Sequence, residues 1–129
     1  MADYAEWLVS TRLGLTLAGN STSGHDATDS AGVRYQIKGR RLTAQNRSTQ
    51  LSQLRRLETR PFDSLLAVVF NPDFTVSYGA SVPLEIVVRL SRFSAHTNAH
   101  VFHMRRDVLG LDGVTDITEL LAGPGSVAR

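Results

Sequence analysis

In Val33-Arg34-Tyr35-Gln36-Ile37-Lys38-Gly39-Arg40, apolar and polar side chains alternate. Val33, Tyr35 and Ile37 point one way; Arg34, Gln36 and Lys38 point the other. That is the period of a half-buried β-strand. Just upstream, Asp29-Ser30-Ala31-Gly32 has the composition of a turn, and His25–Thr28 is short enough to be the facing strand. The two read together as a β-hairpin, with Asp26 on its first arm and Gln36 and Lys38 on its second. Before it lies a polar, turn-forming loop, Gly19–Gly24. Before that, Ala5, Leu8, Val9 and Leu13 recur at helical spacing, predicting a helix over Asp3–Leu13. Asp3-x-x-Glu6 resembles a capping box at its start, and Gly14 suits its end.

Downstream of the hairpin, Thr43–Gln50 is polar and reads as a loop. Leu51, Leu54 and Leu57 predict a helix over Leu51–Leu57, broken by Arg60-Pro61. Ser64-Leu65-Leu66-Ala67-Val68-Val69-Phe70 is the most apolar run and the best candidate for a central buried strand. Asn71-Pro72-Asp73 predicts a turn, with Phe74–Tyr78 returning antiparallel. Pro83 fits the first position of a helix running to about Phe93. Ala99–Met104 reads as a strand. Asp116-Ile117-Thr118-Glu119 is a second capping-box pattern, opening a short helix to Leu121 that Gly123-Pro124-Gly125 stops. The order α-β-β-α-β-β-α-β-α predicts one α/β domain over 1–129, a mixed β-sheet flanked by helices.

With 129 residues, 42% of them hydrophobic and 20% charged, the chain has a globular composition and the size of one ordinary domain. It contains no cysteine, which excludes disulfides, thiol catalysis and cysteine-ligated metal sites and fits a cytoplasmic protein. No apolar run is long enough to span a bilayer, and the first residues lack the layout of a signal peptide. The net charge of +2 hides an asymmetry. Between Arg34 and Arg60 stand eight basic residues against one acid, Glu58, a local net charge of +7. Such a focused positive field suits a phosphate-bearing partner, and equally describes a solvated arginine-rich surface.

Glu6, Asp26, Gln36 and Lys38 form the chemically informative set. The hairpin brings Asp26 beside Gln36 and Lys38, and the preceding helix can deliver Glu6 to the same edge. Phosphodiester hydrolysis needs a carboxylate for a hard cation, neutral oxygen donors beside it, and a positive group for the attacking water or the developing charge. Asp26 fits the first role, the Gln36 side-chain carbonyl and the Ile37 backbone carbonyl the second, and Lys38 the third. Glu6 can join through a water or a second metal. Each residue also has an ordinary structural role: Glu6 as cap partner of Asp3, Asp26 as a turn residue, Gln36 and Lys38 as the wet face of a strand.

Gly24-His25-Asp26 followed by Tyr35-Gln36-Ile37-Lys38 resembles the PD-(D/E)XK nuclease superfamily, in the variant where glutamine replaces the second acid. Mrr-type restriction endonucleases are similar in that respect. The helix glutamate is similar to that of archaeal Holliday-junction resolvases. The resemblance implies a restriction-endonuclease-like core, a magnesium- or manganese-dependent nuclease acting on DNA more than RNA, and catalytic roles for Glu6, Asp26, Gln36 and Lys38. The metal ligands would come from Asp26, Gln36, Ile37 and Glu6. Arg40, Arg41, Arg47, Arg55 and Arg56 would hold the nucleic-acid backbone. So small a chain is expected to work as a homodimer or with a partner subunit. Two positions depart from the pattern: His25 stands where proline precedes the acid, and Gln36 is neutral. They favour a second reading, a catalytically silent module of the same fold that binds nucleic acid or a protein. A third is an interaction protein whose basic stretch docks an acidic partner.

Other chemistries fit poorly. His100 and His103 would face opposite sides of a strand, which argues against a shared metal with His96. No phosphate-binding loop, nucleophile elbow or dinucleotide fingerprint occurs. The aromatic residues are not interleaved with the basic run, so a base-stacking surface is not expected.

Overall fold

The computed structural model describes residues 2–19 and 24–123. Helix α1 (Ala2–Leu13) is followed by the short strands β1 (Thr16–Leu17) and β2 (Ala27–Thr28), then by β3 (Arg34–Arg41). After a long connection come β4 (Ser64–Phe70) and β5 (Val76–Pro83), then α2 (Leu84–Leu90), β6 (Arg92–Ser94), β7 (Ala99–Val101), β8 (Thr115–Asp116) and α3 (Thr118–Ala122). Six strands form a mixed sheet in the order β1-β2-β3-β4-β5-β8. Only the β3–β4 pair is parallel; the others are antiparallel. The chain is therefore a mixed α/β protein, as its element order predicts. No described helix is long and apolar enough to cross a membrane.

Strand β4 is central because both its faces are covered. Leu65–Phe70 are each no more than 1% exposed. A strand buried on both sides needs a continuous apolar run, and Leu65–Phe70 supplies it. On one face, Leu66, Val68 and Phe70 pack with Ile37, with Ala5, Leu8 and Val9 of α1, and with Leu121 of α3. On the other, Leu65, Ala67 and Val69 pack with Leu51, Leu54, Leu57, Phe62 and Phe102. The alternation of β3 thus buries Ile37 under α1 and leaves Gln36 and Lys38 on the opposite face.

The predicted helix over Leu51–Leu57 does not form. Leu51, Leu54 and Leu57 are buried, but the backbone between them is irregular and extended, ending in a single 3-10 turn at Leu57–Thr59. Its polar groups are claimed by the Ala99–Met104 segment: Leu54 N–H donates to His100 O at 3.0 Å, His100 N–H to Leu54 O at 2.7 Å, and Leu51 N–H to Phe102 O at 3.0 Å. Cross-strand partners satisfy the backbone as well as a helix would, so a spacing of three cannot separate the two cases. The leucines act as pegs under one face of the sheet.

Other boundaries shift. β5 begins at Val76 rather than Phe74, because Phe74 lies in the turn with φ 71°. Pro83 ends that strand, and α2 stops at Leu90 instead of Phe93. Arg92–Ser94 then pairs with Ala99–Val101 as a separate two-stranded sheet. β1 and β8, each two residues long, carry no alternation from which to be predicted. The opening of α3 matches its sequence signal in part: Asp116 Oδ1 accepts from Thr118 N–H at 2.9 Å and from the Thr118 hydroxyl at 2.6 Å. The proposed stop at Gly123-Pro124-Gly125 lies outside the described residues beyond Gly123, as does the 20–23 part of the polar loop.

Gly79 of β5 marks where α3 presses on the sheet. A Cβ there would stand 2.6 Å from Leu121 Cδ1 and 3.1 Å from the Ala67 carbonyl oxygen. Gly79→Ala should destabilise the fold by about 1–3 kcal/mol through overpacking, read by denaturant unfolding. An unchanged midpoint would mean α3 docks more loosely than these distances imply.

Candidate functional site

The site is built where β2 ends and β3 continues with only β4 beside it. β2 pairs with β3 at Arg34 and Tyr35, and just before it Asp26 N–H donates to Tyr35 O at 2.7 Å. Beyond Tyr35, no strand among the described residues covers this edge of β3. Along an extended strand, the N–H and C=O of one residue share an edge, and alternate residues share it too. Ile37 therefore presents both backbone groups to the edge that Tyr35 faces. Its N–H donates to Asp26 Oδ2 at 2.7 Å, and Gln36 Nε2 donates to the same oxygen at 2.8 Å. Asp26 is fixed by the strand it adjoins. Asp29, by contrast, does the turn work: its Oδ1 accepts from Ala31 N–H at 2.9 Å and from Val33 N–H at 3.0 Å.

Glu6 approaches Asp26 from α1. Asp3 lies inside the helix, so no capping box closes there. Burial raises the Glu6 pKa above its ordinary value, and the Asp26 charge and a hydrogen bond to Asp26 raise it further, with a smaller contribution from Asp3. A half-buried carboxyl with a second carboxyl against it is a natural seat for a cation or a shared proton. A carboxyl whose folded pKa is raised stabilises the fold below its unfolded pKa, and that contribution is lost as pH rises through the folded value. Carboxyl-carbon NMR should place the Glu6 titration above 4.5, and Asp26→Asn should bring it down toward 4.5. A Glu6 titration that ignores Asp26→Asn would separate the two groups.

Lys38 lies on the face with Gln36. Burial lowers its pKa below 10.5, and the charge of Asp26 acts the other way. Its Nζ donates to Ser52 Oγ at 2.7 Å. Ser52 belongs to the irregular Leu51–Leu57 segment; a lone serine beside a misassigned helix carries no signal by which sequence reasoning could find it. Gln36 and Lys38 line a cavity of about 590 Å³ with His25, Gln53, Arg55 and Arg56. Asp26 is not among its lining residues; it lies behind Gln36 at the strand edge.

A larger cleft of about 680 Å³ shares Gln53 with this cavity and is lined by Arg40, Arg41, Thr43, Asn46 and Phe74 among others. The basic stretch is not uniformly free. Arg34 pairs with Asp63 at 3.2 Å and Arg60 with Glu85 at 2.8 Å. Arg40, Arg41 and Arg55 are held by backbone carbonyls instead: those of Ser48 (2.9 Å), Pro72 (3.2 Å) and Thr97 (2.6 Å). Neutral acceptors fix a guanidinium without cancelling its charge. Arg56 lines the smaller cavity, while Arg47, on the exposed loop after β3, lines neither.

The donor set at the edge fits a hard divalent cation. Glu6 and Asp26 supply two carboxylates and Ile37 a carbonyl on the same edge, and Mg²⁺ takes few protein oxygens and keeps several waters. Gln36 differs from expectation: its amide nitrogen, not its carbonyl, faces Asp26. The terminal amide torsion is broad, so the oxygen can turn inward when a cation is present. Among the described residues there is no group of three or more His, Asp or Glu placed to hold a metal. His100 Nδ1 lies 3.1 Å from Ser91 Oγ and its ring against Phe93, a packing role. No family model matches the chain, and no curated protein matches it.

Proposed function

We propose that the chain is a metal-dependent nuclease with a restriction-endonuclease-like core, related to the Gln-x-Lys variant of the PD-(D/E)XK superfamily. It hydrolyses phosphodiester bonds, in DNA more than in RNA. One observation carries the reading: Asp26, pinned by Gln36 and Ile37 on the uncovered edge of β3, has the carboxyl of Glu6 against it and the charge of Lys38 beside it. The helix with Glu6, the hairpin with both motif halves, the basic segment and the buried strand follow in the order the resemblance implies.

Asp26 and Glu6 would hold Mg²⁺ or Mn²⁺, with the Ile37 carbonyl and a turned Gln36 amide completing the protein donors. The bound ion supplies Lewis acidity and a water of lowered pKa. Gln36 and Ile37 keep Asp26 aimed at the edge. Lys38, oriented by Ser52, holds a positive charge where phosphoryl oxygens gain negative charge. Arg40, Arg41, Arg55 and Arg56 bind backbone phosphates, which positions the strand without reading its sequence. Arg47 contributes long-range attraction. The working form is a homodimer, or a complex with a partner subunit, in the cytoplasm.

The second reading is a silent module of the same fold. It is favoured by the neutral Gln36, whose amide occupies the Asp26 oxygen that a metal would take. Supercoiled plasmid, incubated with Mg²⁺, Mn²⁺ or chelator, separates the two. Metal-dependent nicking supports the nuclease; retarded migration without nicking in either metal supports the silent module.

A further inference from the structure

The turn between β4 and β5 holds a residue that its backbone does not favour. Phe74 N–H donates to Asn71 O at 2.9 Å, and Asn71 N–H to Thr75 O at 2.8 Å. Phe74 has φ 71°, a left-handed conformation that glycine adopts freely and a residue with a Cβ does not. Hairpin connections of this kind ordinarily place glycine there. The ring is also 43% exposed, so burial does not account for it. A strained, solvent-facing aromatic residue calls for another reason.

Its neighbours supply one. The Tyr4 ring meets Phe74 edge-on at 6.0 Å, stacks on Trp7 at 5.9 Å, and is anchored on buried Phe70 at 5.4 Å. Trp7 is 56% exposed. The Arg41 guanidinium lies 4.5 Å over the Phe74 ring and, among the described residues, pairs with no carboxylate. Phe74 lines both the basic cleft and an adjoining depression of about 510 Å³ that includes Tyr4 and Arg12. Phe74 therefore joins the aromatic cluster to the basic cleft, with Asp73 also lining the depression.

We infer that Tyr4, Trp7, Phe74 and Arg41 form a platform on which unpaired bases of a nucleic-acid strand stack, while its phosphates follow Arg40 and Arg41 into the cleft. This rests on reading the cleft as a nucleic-acid interface, and names its substrate: a single strand, or a duplex with frayed or branched ends. Every base has a π-face to offer, and an intact duplex keeps those faces stacked inside. The cation over Phe74 adds attraction for the same faces. A second copy of the chain would cover the rings; the charge of Arg41 beside them favours a phosphate-bearing occupant.

Trp7 is the only tryptophan, so its fluorescence reports the platform directly. With chelator present to prevent cleavage, an oligothymidine of roughly twelve nucleotides should quench Trp7 saturably, and a blunt duplex of that length much less. Phe74→Gly removes the ring where glycine suits the backbone. Its thermal midpoint should be unchanged or higher, and its affinity for the oligothymidine lower by roughly tenfold or more. Arg41→Gln should weaken binding in the same direction. Absence of quenching, equal quenching by the duplex, or unchanged affinity in folded Phe74→Gly would overturn the inference. So would a dimer in sedimentation that Phe74→Gly dissolves, which would assign the patch to a second copy. Plasmid nicking without single-strand quenching would sink the platform alone; quenching without nicking would leave the platform and sink the nuclease.

Discussion

Lys38→Ala should lower the single-turnover cleavage rate by roughly 10²–10³, the usual cost of removing one group aimed at transition-state charge. Affinity for the nucleic acid, measured in chelator, should fall by less than about threefold. The reason is the division of labour around β3. On the proposed reading Arg40, Arg41, Arg55 and Arg56 carry the phosphate contacts, and the first three are held by backbone carbonyls that Lys38 does not touch. Lys38 instead points its ammonium at Ser52, on the strand face beside Asp26. Arginine should not substitute for it, because a planar fork cannot fill the place of a compact ammonium. A loss that appears in affinity and not in rate would make Lys38 one more phosphate contact.

Leu54→Ala should destabilise the protein by about 2–5 kcal/mol, the range for deleting a buried leucine side chain. The thermal midpoint should fall by about 8–20 °C. Leu54 is 3% exposed and packs in the cluster beneath Leu65 and Val69. Its backbone also exchanges both hydrogen bonds with His100. The same segment carries Ser52 to Lys38 and Gln53 to both cavities, so the site depends on this leucine for its shape. A cost below about 1 kcal/mol would mean the segment is held by its backbone pairing rather than by its pegs.

The sequence made some of this legible and not the rest, for physical reasons. Ser64–Phe70 was readable because a strand covered on both faces needs so continuous an apolar run, and β4 has those bounds. The alternation of Val33–Arg40 correctly turned Ile37 inward. Leu51–Leu57 misled because buried pegs at a spacing of three suit a helix or a kinked extended strand, and the deciding partner, His100, lies far along the chain. Phe74 misled in another way. The strand is expected to start at Phe74, while the turn opened by Asn71-Pro72-Asp73 extends through it.

At the candidate site, the proximity of Asp26 to Gln36 and Ile37 is legible because a hairpin places facing positions together by geometry alone. Glu6 needed the docking of α1, which only the packing of Ala5, Leu8 and Val9 on the sheet determines. No aromatic residue alternates with the basic run, so the sequence carried no sign of the aromatic cluster that residues 4, 7 and 74 make in space beside Arg41.

Everything proposed for the chemistry descends from one point, a cation held at the edge of β3. Titration of Mn²⁺ into the protein, followed by the electron paramagnetic resonance of the free ion, measures it without reference to any substrate. Wild type should remove Mn²⁺ from solution at one site per chain, and Asp26→Ala, with its fold verified, should remove none. Uptake that is missing in wild type, or that persists unchanged in Asp26→Ala, would contradict the cation site.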